Sequence, residues 1–113
     1  MAGVVELFLT DDPERTWAEI APFVAYRWRS YNRYMFEGTR REQDATQYFD
    51  TAALKSRFLL GTPDQVAQTI RERAAGLPVT DVYTWSDYSG LSDAAIDRHI
   101  HLLVTELAPR LAD

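Results

Sequence analysis

Apolar residues in this chain collect in two ways, as short unbroken runs and as stripes with steps of three and four. The runs predict buried strands and the stripes predict amphipathic helices. Residues 4–9, Val-Val-Glu-Leu-Phe-Leu, are the first run, broken only by Glu6. Thr10-Asp11-Asp12 ends it, with Asp12 as helix N-cap and Pro13 at the first helical position. A stripe follows at Trp17, Ile20, Ala21, Val24, Trp28, Tyr31 and Met35, and Gly38 stops it. Pro22 inside the stripe is expected to kink or divide that helix. Residues 37–56 are polar and irregular, with a short helix expected over 46–55 on Tyr48, Phe49 and Ala52.

The stretch Phe58-Leu59-Leu60-Gly61-Thr62-Pro63-Asp64-Gln65-Val66 organises the middle of the chain. An apolar run stops at a glycine and a helix starts at once. Thr62 is a good N-cap, Pro63 suits the first helical position, and Gln65 stands where it can close a capping box. Gly61 suits a turn with positive φ or a close backbone approach. The helix carries Val66, Ala67, Ile70 and Ala74 on one face, and Gly76 closes it in a position that favours left-handed φ. Residues 81–85 predict a third strand, and 86–91 a turn-rich loop. Ser92 caps a last helix with a stripe at Ile96, Ile100, Leu103, Leu107 and Leu111, weakened at its end by Pro109. Strand and helix thus alternate three times, which predicts an α/β domain of three β-α units with parallel strands and right-handed crossovers. No repeat or low-complexity tract interrupts it.

At 113 residues the chain is one domain, 1–113, able to bury a modest core. With 46% hydrophobic and 26% charged residues it falls in the range of soluble globular proteins. No apolar run reaches the roughly 20 residues of a membrane span, and no basic leader precedes the first strand, so neither a membrane partner nor secretion is expected. The absence of cysteine removes disulfides, thiolate nucleophiles and zinc-thiolate sites, and makes the cytoplasm the expected location. A net charge of -5 argues against a nucleic-acid partner. Arg27, Arg29, Arg33, Arg40 and Arg41, interleaved with Trp28, Tyr31, Tyr34 and Phe36, have the composition of a single-strand binder. A solvated helix face explains them better.

Three motifs in order carry a resemblance. They are the strand followed by Asp12-Pro13-Glu14-Arg15-Thr16-Trp17-Ala18-Glu19, then Gly61-Thr62-Pro63-Asp64-Gln65-Val66, then Ser89-Gly90-Leu91 before the last helix. Together they resemble the closing part of the luciferase-like flavin-dependent monooxygenases, over nearly the whole chain. The resemblance implies an arc of a (β/α)₈ barrel, with these strands as its last three, and reduced flavin mononucleotide or a deazaflavin as cofactor. A complete barrel takes about 250 residues, so the strands that hold most of the flavin in that family are missing. Ser89 also stands where many members have proline. The implied function is therefore the C-terminal segment of a flavin-dependent oxidoreductase, active only when another chain completes the barrel. The alternative is a non-catalytic accessory or dimerisation module. Open edges of an arc predict a homo-oligomer or a barrel-completing companion, and flavin is not expected on this chain alone.

In a barrel, ligands meet the loops after the strands, here 10–12, 61–63 and 85–89. Trp85 and Tyr88 are candidates for an apolar wall against cofactor or substrate, and Ser86 and Asp87 for hydrogen bonds to it. The plainer role is a connecting loop with Trp85 filling the core. Asp11, Asp12 and Glu14 suit a helix N-terminus better than a metal. His99 and His101 lie about 200° apart around a helix and cannot share a metal. His99 is expected beside the core and His101 in solvent. No Ser-His-Asp arrangement, phosphate-cradling glycine loop or dinucleotide fingerprint is present.

Overall fold

A computed structural model describes residues 1–41, 51–85, 88 and 90–112. The first run forms two short strands, β1 (Ala2–Val4) and β2 (Leu7–Leu9), followed by helix α1 (Pro13–Phe36). Helix α2 (Thr51–Lys55), strand β3 (Leu59–Gly61) and helix α3 (Pro63–Ala74) come next. Strand β4 (Asp81–Tyr83) and helix α4 (Asp93–Leu102) follow. A π-helical turn at Leu103–Leu107 then leads into α5 (Ala108–Leu111).

The strands are parallel, and both later strands pair with the N-terminal segment. Leu7, Phe8 and Leu9 lie beside Leu59, Leu60 and Gly61, while Ala2, Gly3 and Val4 lie beside Asp81, Val82 and Tyr83. Val5 N–H donates to the Tyr83 carbonyl, whereas the Glu6 carbonyl accepts from Leu59 N–H and Thr10 N–H donates to the Gly61 carbonyl. Odd residues of the segment serve β4 and even ones serve β3. Alternate residues of an extended chain direct their N–H and C=O groups to opposite edges, so β3 and β4 flank the first strand on opposite sides.

The helices cover both faces of the β2–β3 pair. Phe8 and Leu60 pack with Trp17, Ile20, Ala21 and Val24 of α1 and with Leu54 of α2. Leu7, Leu9 and Leu59, on the other face, pack with Val66, Ala67 and Ile70 of α3 and with Leu107. An α/β domain with parallel strands is therefore present, and the order of its strands differs from that of consecutive barrel strands. Such an arc would pair β3 with β4 and keep its helices on one face. Among the described residues β3 and β4 do not pair, helices lie on two faces, and no sheet closes.

Other expectations shift in detail. Strand β4 stops at Tyr83, two residues short of Trp85, and all three of its residues are exposed. Pro22 does not divide α1. It lies on the exposed side, so the carbonyl its ring leaves without a donor faces water. The fully buried stripe of α1 runs from Trp17 to Ala25, Trp28 packs partly buried against the same core, and Tyr31 and Met35 are exposed. In the last helix Ile100 is 43% exposed and His99 takes the inner position. Pro109 is accommodated by the π turn, in which Ala108 N–H reaches the Leu103 carbonyl. The short helix begins at Thr51 and buries Leu54; Tyr48 and Phe49 lie outside the described residues.

The central turn forms as its sequence dictates. Gln65 N–H donates to Thr62 Oγ1 at 3.3 Å and Thr62 N–H donates to Gln65 Oε1 at 3.0 Å, completing the capping box. Gly38 and Gly76 both take φ +76 just beyond their helices. Gly61 does not have positive φ. A Cβ there would lie 2.7 Å from Gln65 Oε1, so the glycine leaves room for the side chain that closes the box.

Thr62→Ala should therefore cost about 1 kcal/mol, and Gly61→Ala should lose a similar amount by displacing Gln65. Because both act on one box, the double variant should lose less than the sum of the two. Urea denaturation of the four proteins measures this. Additive losses would separate Gly61 from the capping box.

Candidate functional site at the strand ends

A cleft of about 580 Å³ opens at the carboxyl ends of β2 and β3. Its floor is Phe8, Leu9 and Thr10. One wall is the first two turns of α1 with Asp11, Asp12, Arg15, Thr16 and Glu19, and Thr62-Pro63 at the start of α3 forms a corner. The opposite wall is α4, through Ala95, Arg98, His99 and Leu102.

Local hydrogen bonds hold the α1 side. Arg15 N–H donates to Asp12 Oδ1 at 3.2 Å, which makes Asp12 the N-cap expected of it. Asp12 N–H donates to Thr10 Oγ1 at 3.0 Å, and the Thr10 and Thr16 hydroxyls are 2.6 Å apart. Arg15 Nε meets Glu19 Oε1 at 3.4 Å, one turn on. Arg98 has no ion pair among the described residues. Three carboxylates and two guanidinium groups thus border the cleft, with one of the two cations already engaged.

His99 is the most constrained side chain here. It is 1% exposed, its ring stacks on Phe8 with centroids 4.1 Å apart and planes 6° from parallel, and its Nδ1 accepts from Leu9 N–H at 3.4 Å. Leu9 belongs to the odd residues that point to the β4 side. Since β4 ends beside Val5, that donor has no strand to meet, and the imidazole takes the place of one. Acceptance at Nδ1 puts the proton of neutral His99 on Nε2, which is buried without a partner among the described residues. Burial lowers the His99 pKa to about 4.

Trp85 and Tyr88, singled out in the sequence, lie elsewhere, while Leu91 at the end of their loop lines the cleft. Tyr88 is 1% exposed and packs on Phe58, with ring centroids 6.2 Å apart. Its hydroxyl donates to Glu6 Oε2 at 3.1 Å. Burial, and then the Glu6 carboxylate, push the phenol well above its ordinary range. Trp85 is 54% exposed. Both rings, with Tyr31, surround the Arg27 guanidinium, whose carbon is 5.1 Å from the Tyr88 centroid, 5.3 Å from Trp85 and 5.6 Å from Tyr31. Ser86 and Asp87 lie outside the described residues. Gly90 anchors the far end with φ +99, and a Cβ there would come within 2.8 Å of the Phe23 ring. Neither Trp85 nor Tyr88 borders the cleft, whereas the other two strand-end loops do. Arg98 and His99 were missed as cleft residues because nothing local to α4 marks them; only the end of β4 makes His99 necessary.

Among the described residues no group of His, Asp and Glu side chains is arranged to hold a metal ion, and no helix is long and apolar enough to cross a membrane. No family model, curated protein or solved structure matches the chain.

The His99 environment has a pH consequence of definite sign. Its folded pKa of about 4 lies below the 6.5 of an ordinary imidazole, so the unfolded chain binds the extra proton first. Stability from this residue is complete above pH 6.5 and falls as the pH drops toward 4. The loss amounts to roughly 3 kcal/mol at 1.36 kcal/mol per unit. His99→Phe keeps the ring but cannot titrate; it should be less stable at pH 7.5, where Leu9 N–H loses its acceptor, and should decline less between pH 6.5 and 4.5. Parallel declines in urea midpoint for both proteins would dismiss His99 as the source.

Proposed function

We propose that this chain is a ligand-holding α/β module, with the strand-end cleft as its binding site. Any oxidoreductase chemistry of the luciferase-like kind would then require a companion chain. The position of the cleft carries this. Open parallel sheets hold ligands outside the carboxyl ends of their strands, where successive connections leave toward opposite faces. Here α1 and α3 leave toward opposite faces of the β2–β3 pair, and the cleft lies where both helices begin. Its size also falls in the range of roughly 300–1,000 Å³ usual for small-molecule pockets.

Flavin mononucleotide, the cofactor implied by the resemblance, does not fit the residues present. A phosphate would meet Asp11, Asp12 and Glu19, while Arg15 is paired with Glu19. The Thr62 hydroxyl and N–H are committed to the capping box and not free for an anion. One face of the Phe8 ring is covered by His99. The suitable occupant is a small organic molecule without a phosphate, uncharged or zwitterionic. Its polar groups would meet Arg98 and the Thr10–Thr16 hydroxyl pair, and its apolar part Leu91 and Leu102. Descent from the luciferase-like family rests on the sequence motifs, and a companion completing a barrel would have to join at the free edges of β3 and β4.

Two measurements test the proposal. Titrating flavin mononucleotide and following its fluorescence should show no binding below high micromolar concentrations; submicromolar binding abolished by Trp85→Ala would move the site to the 85–91 loop. Small neutral and zwitterionic organic molecules, followed by amide chemical shifts, should perturb Thr10, Thr62 and Ala95 together. Arg98→Ala should weaken the zwitterionic binders about tenfold, as loss of one charged hydrogen bond would. Shifts confined to other surfaces would refute the cleft as a binding site.

A further inference from the structure

Helix α4 is the least embedded wall of the cleft. Helix α1 buries a stripe from Trp17 to Ala25 and α3 buries Val66, Ala67 and Ile70, whereas the only fully buried residue of α4 is His99. Ile100 beside it is exposed, and Ala95 and Leu102 are half-buried along the cleft. The segments on either side of α4 are held without it. Before it, Tyr88 packs on Phe58 and is bonded to Glu6. After it, Leu107 enters the core beside α3, and Arg110 meets Asp64 of α3 at 2.6 Å and Glu106 at 2.8 Å. One imidazole thus fastens the middle of a segment whose ends are anchored elsewhere.

That fastening requires a neutral ring. Nδ1 must be an acceptor to take the Leu9 N–H at 3.4 Å, and a protonated imidazole has a donor at both nitrogens. Protonation therefore sets two N–H groups against each other on the strand side. It also leaves a cation at a 1% exposed position, with Nε2 unpartnered among the described residues. No counter-charge is placed to meet it. Glu6 is bonded to Tyr88, Glu19 is paired with Arg15, and Asp12 caps α1. Asp11 is exposed in its loop, and Arg98 carries the same sign of charge as the protonated ring. On α4 itself Asp93, Asp97 and His101 face water. Among the described residues the one hydrogen bond of the ring is to Leu9.

We infer that α4 is a movable wall of the cleft, fastened to β2 by neutral His99 and released as a unit when that ring is protonated. This rests on the cleft being the binding site, as proposed above, and adds its regulation: acid opens the wall and frees a bound molecule. Openings smaller than global unfolding occur in segments with few buried apolar contacts, and α4 is such a segment. Fastening is complete above pH 6.5, where the ring is neutral in either state, and is lost as the pH falls toward 4. With a released imidazole at 6.5 and a fastened one at about 4, the fastened-to-released ratio drops about 30-fold between pH 7.5 and 5.

Amide hydrogen exchange of the full chain, corrected for intrinsic rates, reads α4 with no ligand present. At pH 7.5 the amides of Leu9 and of residues 99–102 should be at least about tenfold less protected than those of Leu59 and Ile70. By pH 5 they should lose about 30-fold more. His99→Gln offers Leu9 N–H a carbonyl that does not titrate, and should remove most of that loss. The ring gives a second reading should this variant fail to fold: its Cε1–H resonance should titrate in step with the loss of protection. Four results would each overturn the inference. They are α4 protection equal to that of Leu59 and Ile70, protection unchanged to pH 5, a loss undiminished in His99→Gln, and an imidazole that titrates while α4 stays closed. A cleft that binds none of the molecules named above would overturn the earlier proposal instead, with the exchange of α4 unaffected.

Discussion

The structure depends on one strand serving two neighbours from opposite edges. Residues 1–5 satisfy β4 with their odd-numbered backbone groups, and residues 6–10 satisfy β3 with their even-numbered ones. That division fixes which face each helix covers. A right-handed crossover to one side puts its helix on one face, and a crossover to the other side puts its helix on the opposite face. Helix α1 and helix α3 are found on opposite faces accordingly. The cleft follows from the same division, because the chain parts above the end of β2. His99 follows as well: where β4 runs out, the Leu9 N–H is left on an empty edge, and an imidazole from α4 meets it.

Features that depend on a few neighbouring residues were legible in the sequence. The Thr62–Gln65 capping box, the Asp12 and Ser92 N-caps, the helix stop at Gly38 and the positive φ of Gly76 all formed where residue chemistry put them. Strand existence was legible too, because Leu7, Phe8 and Leu9 are buried on both faces and read as one apolar run. Strand order was not. Pairing joins residues 2 and 81, or 7 and 59, and no local pattern states which of two later strands takes which edge. Helical stripes were legible only as far as a partner surface exists. Trp17 to Ala25 found one, while Tyr31 and Met35 have the right spacing and face solvent.

The site divides along the same line. Two of the three loops after strands border the cleft, and the third reaches it through Leu91 while its Tyr88 enters the core. Glu6, the single polar residue in the first run, was a visible clue without a visible partner. Its carboxylate receives the buried Tyr88 hydroxyl, which pulls the start of the last loop against the first strand. Arg27 completes that arrangement by placing its charge among Tyr31, Trp85 and Tyr88. Of the aromatic residues between the arginines of α1, Tyr31 packs on Arg27, Trp28 lies under Arg57 and Phe36 under Arg41.

Keeping His99 neutral has consequences for the chemistry the cleft can support. A general base works best when its pKa lies near the operating pH, and burial holds this imidazole at about 4. Its Nδ1 is occupied by Leu9 N–H, and the ring face is occupied by Phe8. The group therefore serves as a rigid, uncharged part of the wall, and proton transfer near neutral pH would fall to no other imidazole, since His101 is exposed on another side of the helix. Around it the cleft gathers the Thr10–Thr16 hydroxyl pair, the carboxylates of Asp11, Asp12 and Glu19, the Arg98 guanidinium and apolar surface from α4, so any polar partner of a bound molecule comes from these groups and not from the imidazole.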